Sequence, residues 1–92
     1  MKALGSPPVF SLRGEAPGAF PNGTRVVKVE VDAGRGDLHP VGALGTVVGS
    51  LKTPADVLVQ FPKARYAYSV EWDAAPGIPT LVMSWKIARA PP

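Results

Sequence analysis

No cysteine occurs among the 92 residues, so disulfides and thiolate metal sites are excluded and the fold must stand on its apolar core. Histidine appears once, at His39, which removes any pair of imidazoles for a transition-metal site. No run approaches the ~20 apolar residues that span a bilayer. Near the N-terminus, Gly5, Pro7 and Pro8 interrupt the apolar stretch after Lys2 that a signal peptide would require. A cytoplasmic protein without membrane contact is therefore expected. Runs of one charge are missing too. Ten Lys and Arg face seven Asp and Glu, a net charge of +3, and no three basic residues are consecutive. That balance permits a polyanionic partner without demanding one.

What is present points to one small domain. The apolar share of 46% suits a globular chain, and 92 residues leave no room for a second core. Ten glycines and eleven prolines argue against long helices, because both residue types penalise helix interiors. Four of those prolines (Pro7, Pro8, Pro17, Pro21) and four glycines fall within residues 1–23, where Val9, Phe10, Leu12 and Phe20 follow no period. This segment reads as an irregular arm, with Phe10 or Phe20 as the side chain that pins it to the domain.

Strand patterning begins at Thr24. From Thr24 to Asp32, Val27, Val29 and Val31 alternate with Lys28, Glu30 and Asp32, the period of a half-buried strand. Residues 33–43 carry Gly34, Gly36, Pro40 and Gly42 and read as a loop. Gly45–Leu51 forms the next strand, Thr53-Pro54 a turn, and Val57, Val59 and Phe61 a further short strand ended by Pro62. Arg65–Asp73 gives the clearest signal, with Tyr66, Tyr68, Val70 and Trp72 on one face. Ala74-Ala75-Pro76-Gly77 turns the chain. Thr80–Lys86 sets Leu81, Met83 and Trp85 against Val82, Ser84 and Lys86, and Ile87-Ala88-Arg89 is a last short element. Five or six short strands and no helix longer than one turn follow from this reading. So small a sheet must curl and close to bury enough surface.

Gly23-Thr24-Arg25-Val26, then Gly42-Ala43-Leu44-Gly45-Thr46-Val47-Val48, then Tyr68-Ser69-Val70-Glu71-Trp72-Asp73 resemble the framework of KOW-type and other SH3-like barrels. The resemblance implies an all-β fold: a small SH3-like barrel of five to six antiparallel strands over 24–90, preceded by the arm at 1–23. In KOW domains such barrels contact RNA, RNA polymerase or other proteins. The same glycines, Tyr68–Glu71 and Pro76-Gly77 are similar to the plasmid-type dihydrofolate reductases. That family lines its pore with Val-Gln-Ile-Tyr after the Pro-Gly turn. Here Ile78-Pro79-Thr80-Leu81-Val82-Met83 stands instead, so no reductase activity is expected. His39-Pro40, Gly42, Gly45 and Val47 resemble the SH3-like part of nitrile hydratase β subunits, which implies an accessory role beside a metal-bearing partner.

Candidate chemistry is sparse. Arg35-Gly36-Asp37 is most simply a polar turn, and Gly34, Gly36, Gly42 and Gly45 lack the following helix that a phosphate cradle requires. Glu71 and Asp73 share a strand face at about 7 Å from strand rise, a spacing more common in a solvated face than in acid–base catalysis. No catalytic residue, metal site or cofactor is expected. A non-catalytic binding module is, engaging a protein partner or another copy of itself, with a KOW-like nucleic-acid binder as the alternative and an accessory or reductase-like member of an SH3-like enzyme family as a third. The residues expected at a partner are Tyr66 and Trp85, as half-exposed aromatics, with Lys28, Lys63, Arg65 and Lys86 as cations. Lys52 joins them in the nucleic-acid reading.

Overall fold

A computed structural model describes residues 13–30 and 39–92. Five strands lie in one antiparallel sheet: β1 (Arg25–Lys28), β2 (Leu44–Lys52), β3 (Tyr66–Trp72), β4 (Thr80–Met83) and β5 (Ile87–Arg89). A short helix, α1 (Ala55–Gln60), separates β2 from β3, and a 3-10 turn, Ser84–Lys86, separates β4 from β5. The strand order is β4-β3-β2-β1-β5. The two outermost strands are thus joined by three residues. In a flat sheet they would stand about 19 Å apart, four steps of strand spacing. A 3-10 turn advances only about 2 Å per residue, so the sheet has to coil until its edges approach one another. The architecture is a small all-β barrel, and no described helix is long and apolar enough to cross a membrane.

The inner face is set by cross-strand register. Gly45 and Val47 of β2 lie opposite Trp72 and Val70 of β3, and Val26 of β1 lies opposite Gly45. A bulge between Val47 and Gly49 then resets the phase, so that Ser50 and Lys52 lie opposite Tyr68 and Tyr66. Val26, Val47, Tyr68, Val70, Trp72, Val82 and Ile87 form the core. Gly45 is required here for space rather than for backbone freedom. A Cβ on it would lie 2.8 Å from Val70 Cγ1 and 2.9 Å from both the Glu71 carbonyl and Trp72 Cε3. Positive φ is found instead at Gly18, Gly23, Gly42 and Gly77.

Residues 13–23 have neither helix nor strand, yet they are tied down along β2 and β3. The Ser50 N–H donates to the Gly14 carbonyl at 2.8 Å, and the Ala16 N–H donates to Ser50 Oγ at 2.9 Å. Phe20 stacks on Tyr68 with ring centroids 5.4 Å apart, while its N–H donates to Tyr68 Oη at 3.0 Å. Phe20 is the anchor; Phe10, Val9 and Leu12 lie outside the described residues.

Three sequence expectations are corrected. Residues Val57–Phe61 are not a strand but the helix α1 and its C-cap. In β1 the inward residues are Val26 and Lys28, whereas Val29 is exposed. In β4 it is Val82 that is buried, with Leu81 outward, and Trp85 belongs to the 3-10 turn rather than to a strand. In β3 the expected inner face is found, with Tyr68, Val70 and Trp72 buried and Tyr66 half-buried, but the other face is not left to solvent, because Ala67 and Ser69 are buried too.

Candidate binding groove

Helix α1 is bracketed by Pro54, which sits at its N-cap with φ −59°, and by Pro62 just after its C-cap. Asp56 in the first turn faces the positive end of the helix dipole. The Leu58 N–H donates to the Pro54 carbonyl at 2.9 Å and the Phe61 N–H to the Val57 carbonyl at 2.9 Å. None of the six helical residues is buried. Val59 is 82% exposed, Phe61 60% and Val57 40%, and Leu51 at the end of β2 is open as well. Isolated helices this short are unstable in water, so α1 depends on its proline brackets and on what it leans against.

It leans toward the start of β3. Between them runs a shallow groove of about 450 Å³ lined by Lys52, Leu58, Pro62, Arg65 and Tyr66. Lys52 and Tyr66 face one another across β2 and β3. Tyr66 is held on two sides: its N–H donates to Ser84 Oγ at 3.2 Å and its Oη donates to the Pro17 carbonyl at 3.1 Å. Ser84 Oγ in turn donates to the carbonyl of Lys63, at 3.3 Å, which fixes the turn that follows Pro62. The arm therefore positions the aromatic wall of the groove. Gly18 contributes through its left-handed backbone (φ +83°) and its lack of a Cβ, which would stand 2.6 Å from Tyr66 Oη.

The groove is basic. Lys52, Lys63 and Arg65 are exposed. Among the described residues the sole ion pair is Arg25 with Asp73, a two-pronged contact at 2.8 and 2.6 Å between β1 and the residue that follows β3. No family model, curated protein or solved structure matches the chain. Its site must be read from geometry.

The six residues expected at a partner surface divide into two groups. Tyr66 and Arg65 line the groove, and Lys63 is exposed between its lining residues Pro62 and Arg65 in sequence. Lys28, Trp85 and Lys86 do not reach it. Lys28 and Lys86 are buried, 4% and 7% exposed, so they are not the surface cations that the sequence reading took them for. The Lys28 ammonium lies 5.9 Å from the Trp72 ring centre and that of Lys86 5.0 Å from Trp85. Burial, reinforced by the charge of Lys86, holds the Lys28 ammonium below the ordinary lysine range. Sequence reasoning missed Leu58, Pro62 and the outward face of α1, because Val57, Val59 and Phe61 were assigned a strand's period.

The residues considered for chemistry have structural partners. Glu71 accepts the Gly77 N–H at 2.6 Å and so closes the turn between β3 and β4. Asp73 is held by Arg25, which keeps its carboxyl below the usual carboxylate range. His39 stacks on Trp72 with centroids 5.1 Å apart. A second hollow of about 430 Å³ at Thr46, Glu71, Trp72, Asp73 and Pro76 therefore has its acids already engaged. Among the described residues no three metal-binding side chains cluster. Arg35-Gly36-Asp37 lies outside the described residues.

Proposed function

We propose that the chain is a non-catalytic binding module of SH3-like type, acting in the cytoplasm, that engages a protein partner or a second copy of itself. The order β4-β3-β2-β1-β5, with a 3-10 turn before the last strand, supports that barrel type. One observation carries the functional reading: Val57 and Val59 of α1, Phe61 at its C-cap and Leu51 at the end of β2 are all exposed, and no residue of α1 is buried. Large apolar side chains left exposed over so short a stretch of chain support an interaction surface. The test is light scattering coupled to size exclusion, with cross-linking in lysate, on the native chain and on Val59→Asp. Self-association or a cross-linked protein that Val59→Asp abolishes supports the reading. A strict monomer that cross-links to no protein overturns it.

A second reading, a KOW-like nucleic-acid binder, draws on Lys52, Lys63 and Arg65 around Tyr66. It requires binding to RNA or DNA that weakens steeply with salt, through counterion release.

A further inference from the structure

The groove joins apolar and charged side chains, since Leu58 and Pro62 line it together with Lys52 and Arg65, and Val59 and Phe61, next to Leu58 and Pro62 in sequence, are exposed. Its apolar side chains are aliphatic but for Phe61 and the ring of Tyr66. The charged side chains that line the groove, Lys52 and Arg65, are both cationic; Lys63 is exposed between Pro62 and Arg65 in sequence, and the exposed Asp56 of α1 is not among the lining residues. Since no described residue pairs with these three cations, each keeps its full attraction for an incoming anion. The complementary ligand has carboxylates interspersed with aliphatic or aromatic side chains.

Resting on the binding-module reading, we infer that the groove between α1 and the start of β3 takes an acidic, apolar peptide segment of a partner protein. Its carboxylates meet Lys52, Lys63 and Arg65, and its apolar side chains lie on Leu58, Val59 and Phe61. A nucleic acid fits less well. Three cations are few against the phosphates of even a short strand. Stacking of bases calls for open aromatic faces, whereas Tyr66 is half-buried, packed beside Tyr68 at 6.2 Å and anchored through its hydroxyl to the arm. Val57, Val59 and Leu51 offer bases nothing to stack on.

The test begins with selection from a random-peptide library on the full chain. Enriched sequences should combine Asp or Glu with Leu, Ile, Val or Phe. A labelled peptide from that set, titrated by fluorescence anisotropy, should bind about tenfold or more weakly to the Lys52→Glu/Arg65→Glu double variant, and weakly at about 0.5 M salt. The mirror peptide, with Lys in place of each acid, should bind the double variant better than the native chain, which also shows that the variant is folded. Enrichment of neutral or basic peptides overturns the acidic class while leaving the module reading intact. An oligothymidylate that binds more tightly than the peptide at equal salt overturns it in favour of nucleic acid. If no peptide is enriched and the protein is monomeric and cross-links to no protein, both readings fall together.

Discussion

At the scale of single residues, small atoms decide more than large ones. Gly45 lets β2 pass against Trp72, and a methyl group there meets backbone as well as side chains. Gly45→Ala should cost about 1–3 kcal/mol, the usual toll of overpacking, read as a lower denaturation midpoint. Tyr68 has two duties, filling the core and accepting the Phe20 N–H. Tyr68→Phe keeps the ring and strands that N–H, so about 1 kcal/mol should be lost, with faster amide exchange at Phe20 as the local sign. Thr53 Oγ1 is buried without a partner among the described residues. Thr53→Val removes an unsatisfied hydroxyl at nearly constant shape and should raise stability by up to about 1 kcal/mol. The fold-defining part of this was open to sequence inspection only in outline. The glycines were visible, but whether one served a turn or a tight crossing depended on register, and register depends on contacts far apart in the chain.

Among the elements, β3 was the most legible and α1 the least. Tyr66, Tyr68, Val70 and Trp72 alternate over a full strand length, which marks the inner face, whereas the burial of Ala67 and Ser69 on the other face depends on what packs there. Val57 and Phe61 stand four apart, a separation that suits a helix turn as well as a strand, and the β-branched valines tip the local preference the wrong way. The brackets Pro54 and Pro62 were the better guide. In β1 three valines on one phase suggested an inward row, yet pairing with β2 and β5 turns Val26 and Lys28 inward. A lysine is a poor advertisement for a core position, and only the long stem beneath its ammonium makes the burial tolerable. Of the six residues expected at a partner, Tyr66 and Arg65 line the groove and Lys28, Lys63, Trp85 and Lys86 are not among its lining, while Leu58 and Pro62 needed the helix. Because α1 has no buried residue, Val59→Ser should leave the melting temperature within a degree or two of native, as exposed changes generally do, while abolishing the association proposed for this face. A large loss of stability would mean that the helix is packed after all.

For the molecule as a whole, three shifted groups shape the dependence of stability on pH. Asp73 titrates below its ordinary range through Arg25, so its contribution is complete above the ordinary carboxylate value and disappears as pH falls through the depressed one. Lys28 is depressed by burial, so the unfolded chain holds its proton more firmly, and stability rises as pH climbs from the depressed value to the ordinary lysine range. Tyr68 is raised, chiefly by burial, and its contribution holds below the ordinary tyrosine value and is lost as pH rises through the raised one. Melting temperature measured against pH should therefore fall in acid and gain on the alkaline side before it drops. Tyr68→Phe should remove that final drop, and high salt should flatten the exposed Arg25–Asp73 component first. The first and last strands in sequence are also neighbours in the sheet: β1 pairs with β5, and the Ala90 N–H donates to the Arg25 carbonyl at 2.9 Å. Arg25 and Ala90, at the two ends of the stranded part of the sequence, are thus next-door neighbours in space. A circularly permuted gene, opened instead at the exposed Pro76-Gly77 turn, should then yield the same sheet with its strands read in a different order.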